Sequence, residues 1–287
     1  MSTIAAEQLR LRSHDYRAPS AADVRRLLAA TGDEVDSPWR AACEQLELDD
    51  SPDTLTLADL ERVATTVGRG GGVVGLLARS TAIRIATYRE LAARAEQAAA
   101  PPWDWARRAL DELLRTRVPS RRRLQEIADL DPFSPEIRPD LDQVAARAAQ
   151  RTGAATGAVN ILLEGAQGTV GQHGMPQWIL RAGGTPAEWS FCSTIRRTRE
   201  PHVVPDAHAD VLHRVNPLVF HEGTASYAGV PLVTPRGEVV GTCCVVDTQA
   251  REFTDADLAA LAEEAATVVE TLEERRSARA RRGELSG

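Results

Sequence analysis

Four cysteines and six histidines hold most of the reactive side-chain chemistry in this chain. Cys43 stands alone in the first half, whereas Cys192, Cys243 and Cys244 fall in the second. No two cysteines have CxxC spacing, so a zinc knuckle or a thioredoxin-type couple is not indicated. A thiol mechanism, in which a thiolate attacks an oxidised substrate and a second thiol resolves it, needs two cysteines that can meet. Cys243 and Cys244 are adjacent in an apolar run that reads as a strand. Their side chains then point to opposite faces, and at most one can face a given pocket. His202, His208, His213 and His221 crowd one stretch together with Asp206 and Asp210. Imidazole and carboxylate suit zinc or iron, but no pair of these histidines has HxH or HxxxH spacing. Every one of the 34 basic residues is arginine. Guanidinium cannot form a Schiff base, and both P-loop and kinase nucleotide sites use a lysine. Those reaction classes are therefore excluded.

The elements that must position these residues come from an ordinary globular composition: 43% hydrophobic, 26% charged and only 4% aromatic. The core must be built from Ala, Val and Leu. At 287 residues the chain suits two modest domains. A net charge of −7 argues against a nucleic-acid partner, whose affinity comes from a basic face. The clusters Arg121–Arg123 and Arg275 to Arg282 read as solvated helix ends. No apolar run is long enough to span a bilayer, and the first residues lack the apolar stretch of a signal peptide. With no disulfide framework, a cytoplasmic setting without membrane attachment is expected.

Residues 1–19 are expected to be a flexible N-terminus and 20–118 an all-α domain for interaction or oligomerisation. Ser20 with Asp23, and Thr56 with Asp59, read as capping boxes. Gly70-Gly71-Gly72 reads as a turn between helices. Pro101-Pro102 precede a short helix around Trp103–Arg117, and the boundary falls near Pro119. Residues 119–275 alternate differently: two helices, the second closed by Gly153, then a strand at 157–164 with its hairpin partner at 167–173. A loop of little regular pattern follows from Gly174 to Glu188. Residues 201–205 make a short strand, and 224–233 and 238–247 make two strong ones. Thr254 and Asp257 open a last helix whose Leu258, Leu261, Ala265, Val268 and Leu272 share a face. That stripe suits pairing with a second copy, so a homodimer is expected. Residues 276–287 read as a basic flexible tail. The fold class is α+β with an antiparallel sheet.

Four short motifs give the second half a family resemblance. They are Phe191-Cys192, Val204-Pro205-Asp206, Asn216-Pro217-Leu218-Val219 and Tyr227-Ala228-Gly229-Val230-Pro231-Leu232. In this order and spacing they resemble the GAF domain of many bacterial sensory proteins, over about residues 120–275. The resemblance implies a six-stranded antiparallel sheet with helices on one face and a pocket on the other. The segment Met175–Glu222 would cover that pocket. Trp189, Phe191 and Tyr227 would form apolar walls, and Cys192, Asp206, Asp210 and Asn216 would supply polar contacts. Asp206 and Asp210 could equally be turn caps.

The expectation is a non-catalytic sensor or regulator that binds a small molecule, with no resident cofactor. Haem or a metal on the histidines is the lesser alternative. About twelve residues beyond the last helix are too few for an output domain, so a signal would leave through the helical parts or a partner protein. The lysine of the cyclic-nucleotide signature of phosphodiesterase GAF domains is missing, and nothing resembles a bilin-attachment motif. Two rival readings stay open. One is a thiol enzyme of the GAF-fold methionine sulfoxide reductase type, although no cysteine lies between Asp206 and Tyr227, where its catalytic thiol is expected. The other is an interaction scaffold whose pocket is empty of ligand, collapsed and filled by its own Leu and Val side chains.

Overall fold

A computed structural model describes residues 19–49, 54–97, 120–214 and 216–284. The helix expected around Trp103–Arg117, and nearly all of the expected flexible N-terminus, lie outside the described residues. The chain divides into two compact units, residues 1–124 with 163–166, and residues 125–162 with 167–287.

The first unit is helical: α1 (Ala21–Leu28), α2 (Asp36–Gln45), α3 (Leu57–Arg69) and α4 (Gly72–Gln97). Both expected capping boxes form, because each cap hydroxyl accepts the third residue's N–H while that residue's carboxylate accepts the cap N–H. Gly71 turns α3 into α4 at φ 72°. The two helices cross closely at Gly68 and Gly75, where a Cβ on Gly75 would lie 3.3 Å from the Gly68 carbonyl oxygen. Val24, Leu28, Trp39, Leu60 and Val63 are buried in this unit.

The second unit contains most of α5 (Arg121–Leu130), then α6 (Arg138–Thr152), β1 (Thr156–Leu162) and β2 (Ala166–His173). The chain continues through α7 (Gln177–Ala182), β3 (Gly184–Pro186), α8 (Cys192–Thr198), β4 (His202–Val204) and α9 (Pro217–Glu222). It closes with β5 (Ser226–Val233), β6 (Val239–Asp247) and α10 (Asp255–Arg281). The six strands lie in the order β3-β2-β1-β6-β5-β4, and β1/β2, β1/β6, β5/β6 and β4/β5 pair antiparallel.

One face of the sheet carries α6 and α10. Glycine makes that approach possible: a Cβ on Gly157 or Gly171 would run into the carbonyl oxygen of Ala145 or Leu141 on α6. The stripe of α10 is spent on the chain's own sheet. Leu261, Ala265, Val268 and Leu272 are buried, and α10 packs on β5, β6 and α6. The apolar face that suggested self-pairing is thus occupied, and a homodimer would have to use another surface.

Two further expectations change. The segment Gly174–Glu188 is not irregular; it holds α7, β3 and a 3-10 turn, Ala187–Trp189. Gly183 closes α7 in the left-handed region, and Gly184, which lies against the Gln167 carbonyl, lets β3 dock beside β2. Of the arginines from Arg275 to Arg282, Arg281 and Arg282 are exposed, as expected of a helix end, but the other three are tied into the fold. Helix α10 continues through Arg281, and Arg275 pairs with Asp131 and Glu136. Arg276 pairs with Glu126, while Arg279 donates to the carbonyls of Ala128 and Asp129. No helix among the described residues is long and apolar enough to cross a membrane.

Candidate functional site

On the sheet face away from α6 and α10, the pleat of β1 and β6 directs Ala158, Asn160, Cys244 and Val246 into a cavity. Cys243, one residue earlier, lies on the opposite face, where burial pushes its thiol up to about 12. The cavity measures about 150 Å³, comparable with cavities that take up a benzene-sized guest. Met175, Ile179, Phe191 and Leu218 from the covering segment close its apolar side. Asn160, Gln167, Thr185 and Tyr227 add polar groups to the lining, and Glu222 and Asp247 add carboxylates.

Three of the seven sequence-predicted site residues line this cavity: Phe191, Cys192 and Tyr227. Their geometry is tight. The Tyr227 hydroxyl donates to Cys192 Sγ at 3.2 Å. Cys192 Sγ lies 4.0 Å from Cys244 Sγ, and both thiols are free. Asn160 Nδ2 donates to Cys244 Sγ at 3.4 Å, and its Oδ1 accepts from the Thr169 hydroxyl at 2.9 Å. The Cys244 thiol, with the Tyr227 hydroxyl among further donors, holds Cys192 below the ordinary thiol value despite its burial. Cys244 is raised in turn by its hydrogen bond with Cys192 and by burial. Burial likewise raises the Tyr227 hydroxyl. Gly229 is part of the arrangement: it faces the cavity side two residues after Tyr227, and a Cβ there would fall on the Tyr227 hydroxyl.

The other four candidates hold the covering segment together. Asp206 Oδ1 accepts from the backbone N–H of His208 and Ala209, and Asp210 Oδ1 from those of Leu212 and His213. Asn216 caps α9 by accepting from Leu218 N–H, while its Nδ2 donates to the Trp189 carbonyl at 2.7 Å. Trp189 is buried outside the cavity lining. Residue types alone did not single out Asn160, Thr185 or Glu222. Asn160 had a readable signal, a lone amide inside the apolar run Gly157 to Leu163.

Two of the histidines, His202 and His213, lie behind the Phe191 wall. His213 stacks on Phe191 at 4.2 Å, and the other neighbour of that ring is Tyr227 at 5.2 Å. His202 Nε2 lies 3.4 Å from His213 Nε2. No group of three or more His, Cys, Asp or Glu among the described residues is placed to hold a metal ion. Burial lowers the pKa of both imidazoles, and for His202 so does the neighbouring His213, while Asp210 works in the opposite direction. The unfolded chain, with histidines near 6.5, therefore binds more protons than the folded one below that value. Stability is expected to fall as pH drops from 7 through 6.5 and below. His202→Gln should flatten that slope in urea titrations at several pH values; an unchanged slope would show that the pair does not titrate out of step with the unfolded chain.

The family model described as GAF domain matches residues 140–272. Among solved structures, the GAF domain of a phosphoenolpyruvate-protein phosphotransferase from Coxiella burnetii is 17% identical. It covers 56% of this chain and 94% of its own, with a TM-score of 0.44. The corresponding domain from Acinetobacter is 18% identical over 55% of this chain and 92% of its own, with a TM-score of 0.41. A free methionine-R-sulfoxide reductase from Neisseria meningitidis, solved with its substrate, is 17% identical. It covers 54% of this chain and 87% of its own, with a TM-score of 0.42. The curated proteins give no match. With the six-stranded sheet, its helix-covered face and the cavity opposite, residues 140–272 are a GAF domain.

Proposed function

We propose that this protein is a non-catalytic sensor or regulator whose GAF domain binds a small neutral or cationic molecule. The observation that carries the reading is the lining of the cavity. Its apolar walls surround Thr185, whose buried hydroxyl has no hydrogen-bond partner among the described residues. A buried hydroxyl left unpaired is costly, and a ligand atom would satisfy it. A scaffold with a filled pocket would instead bring Val and Leu side chains together across this space. Among the described residues the lining has no arginine or histidine and two carboxylates, Glu222 and Asp247. Glu222 is oriented by the Trp178 indole N–H at 2.6 Å. An anion placed there would lose its water without gaining a countercharge, so the ligand is neutral or positively charged. Its binding would fix the covering segment, and the signal would pass through the helical parts or to a partner protein.

The test is a thermal-shift comparison on the full chain with probes of one size and different charge. Benzylamine and benzyl alcohol are expected to stabilise it, and benzoate and inorganic phosphate are not. Occupancy at a hundredfold excess over Kd adds about 2.7 kcal/mol. Thr185→Val should weaken the effect. Stabilisation by the anions alone, or by none of the four, overturns the proposed ligand class.

One observation favours a second reading, a thiol-dependent redox enzyme: Cys192 and Cys244 meet on the cavity floor. Turnover of free methionine sulfoxide that survives Cys192→Ser would eliminate it.

A further inference from the structure

We propose that Cys192 and Cys244 are a hydroperoxide-oxidisable pair that closes reversibly into a disulfide on the floor of the GAF cavity. The inference goes beyond the ligand reading and does not depend on it. Three features of the geometry carry it.

The first is proximity. The two sulfurs are 4.0 Å apart, both free, and both part of the cavity lining. A disulfide requires about 2.05 Å, so closure needs the sulfurs to approach by roughly 2 Å. The second is polarity around the sulfurs. Tyr227 donates to Cys192 at 3.2 Å, and Asn160 Nδ2 lies 3.4 Å from Cys244 Sγ and 3.9 Å from Cys192 Sγ. A structural cysteine in an apolar core needs no such donors, whereas a thiolate does. The third is access. The cavity that contains both sulfurs is also lined by Gly174 and Thr248, which are exposed, so a small peroxide can enter. Cys243, one residue away, faces the opposite side, and its thiol is raised rather than lowered. Cys43 lies in the helical unit.

The Cys192 thiolate attacks the terminal oxygen of a hydroperoxide, ROOH, forming an S–O bond as the O–O bond breaks. The electron pair leaves on RO, which takes up the proton released by the Cys192 thiol and departs as ROH. Cys192 is then a sulfenic acid. The Cys244 sulfur attacks the Cys192 sulfur; the S–S bond forms, the S–O bond breaks, and the hydroxyl leaves as water with the Cys244 proton. Two thiols thus lose two electrons and two protons, and the hydroperoxide becomes ROH and water. The bond joins the first residue of α8 to β6, and so links the covering segment to the centre of the sheet. An external thiol reverses it by exchange.

The full chain is treated with hydrogen peroxide or cumene hydroperoxide and its thiols are counted after denaturation. The count is expected to fall from four by two, with the loss of two hydrogens in mass, and to recover with dithiothreitol. Peptide mapping of the wild-type protein should find one cross-linked pair, Cys192 with Cys244. Mapping needs no variant, so a misfolded mutant cannot obscure the result. Cys192→Ser and Cys244→Ser should each abolish the cross-link, and the double variant Cys43→Ser/Cys243→Ser should retain it. Tyr227→Phe should slow the thiol loss about tenfold, as expected for removing one charge-assisted donor. Retention of all four thiols overturns the proposal. So does a cross-link that involves Cys43 or Cys243, or a Cys192 that takes up two oxygens while Cys244 stays reduced. The cross-link forms without ligand, so a negative probe comparison and a negative peroxide result are separate failures.

Discussion

Phe191→Ala is expected to destabilise the GAF domain by about 3–5 kcal/mol and to release the histidine pair behind it. Phe191 is buried in the cluster of Leu162, Ile195, Val204, Val219 and Tyr227. Its ring lies between His213 and Tyr227, close to parallel with both. Truncation removes the transfer energy of the ring and both stacking contacts. It also leaves a void, because three separate elements (α8, β5 and the segment carrying His213) would have to move to fill it. The void adjoins the existing cavity, so water can reach the imidazoles. Both histidine pKa values, now lowered mainly by burial, should then rise toward the ordinary value. Urea unfolding reports the first effect, and an NMR titration of the His213 ring reports the second. Phe191→Leu keeps most of the volume and should cost less than about 1.5 kcal/mol. If alanine costs no more than leucine, or if the titrations do not shift, Phe191 is not the wall that separates the two compartments.

Local rules were readable wherever a few neighbouring residues decide the outcome. Ser20, Thr56 and Thr254 each cap a helix with an aspartate three residues on, because the reciprocal hydrogen bonds need no tertiary partner. The opposite orientation of Cys243 and Cys244 follows from the pleat alone. Failures came where a distant contact overrides local pattern. Strand β3 is three residues long, and its place beside β2 depends on Gly184 lying against the Gln167 carbonyl, a contact across the sheet edge. The α10 stripe looked free because nothing near it in sequence showed that β5 and β6 would cover it. Arg275 and Arg276 looked solvated because Glu126, Asp131 and Glu136 are far away in the chain.

The site divides in the same way. Motif positions were visible, but a motif marks both the residues that line a pocket and those that shape its cover. Phe191, Cys192 and Tyr227 belong to the first group. Asp206, Asp210 and Asn216 direct their side chains to nearby N–H groups and belong to the second. Cys244 had an even chance of facing the cavity until the register Gly229↔Cys244 fixed the arrangement of β5 and β6. The charge of the site was not readable at all. Among the described residues, the lining that forms contains neither arginine nor histidine and brings in two carboxylates from distant segments.

Gly229→Ala is expected to cost about 1–3 kcal/mol, although alanine in place of glycine ordinarily favours a strand. The added methyl would fall on the Tyr227 hydroxyl, 2.8 Å from Tyr227 Cζ and 3.0 Å from Cys244 Cβ. A long surface side chain would swing away, but Tyr227 cannot. It is buried at 1% exposure, stacked on Phe191 and bonded to Cys192. The backbone at Gly229 has no positive φ, so the cost comes from crowding and not from torsional strain. Crowding of that kind makes a specific demand on a double-mutant cycle. Tyr227→Phe removes the hydroxyl, the atom nearest to the new methyl, so Gly229→Ala should cost less in that background, with a coupling of at least ~0.5 kcal/mol. The remaining contacts with Cζ and with Cys244 keep the residual cost above zero. Displacing the hydroxyl also takes a donor from Cys192, whose thiol pKa should then rise, as read from the pH profile of its alkylation by iodoacetamide. Equal costs of Gly229→Ala in both backgrounds would show that this glycine makes no room for the tyrosine hydroxyl.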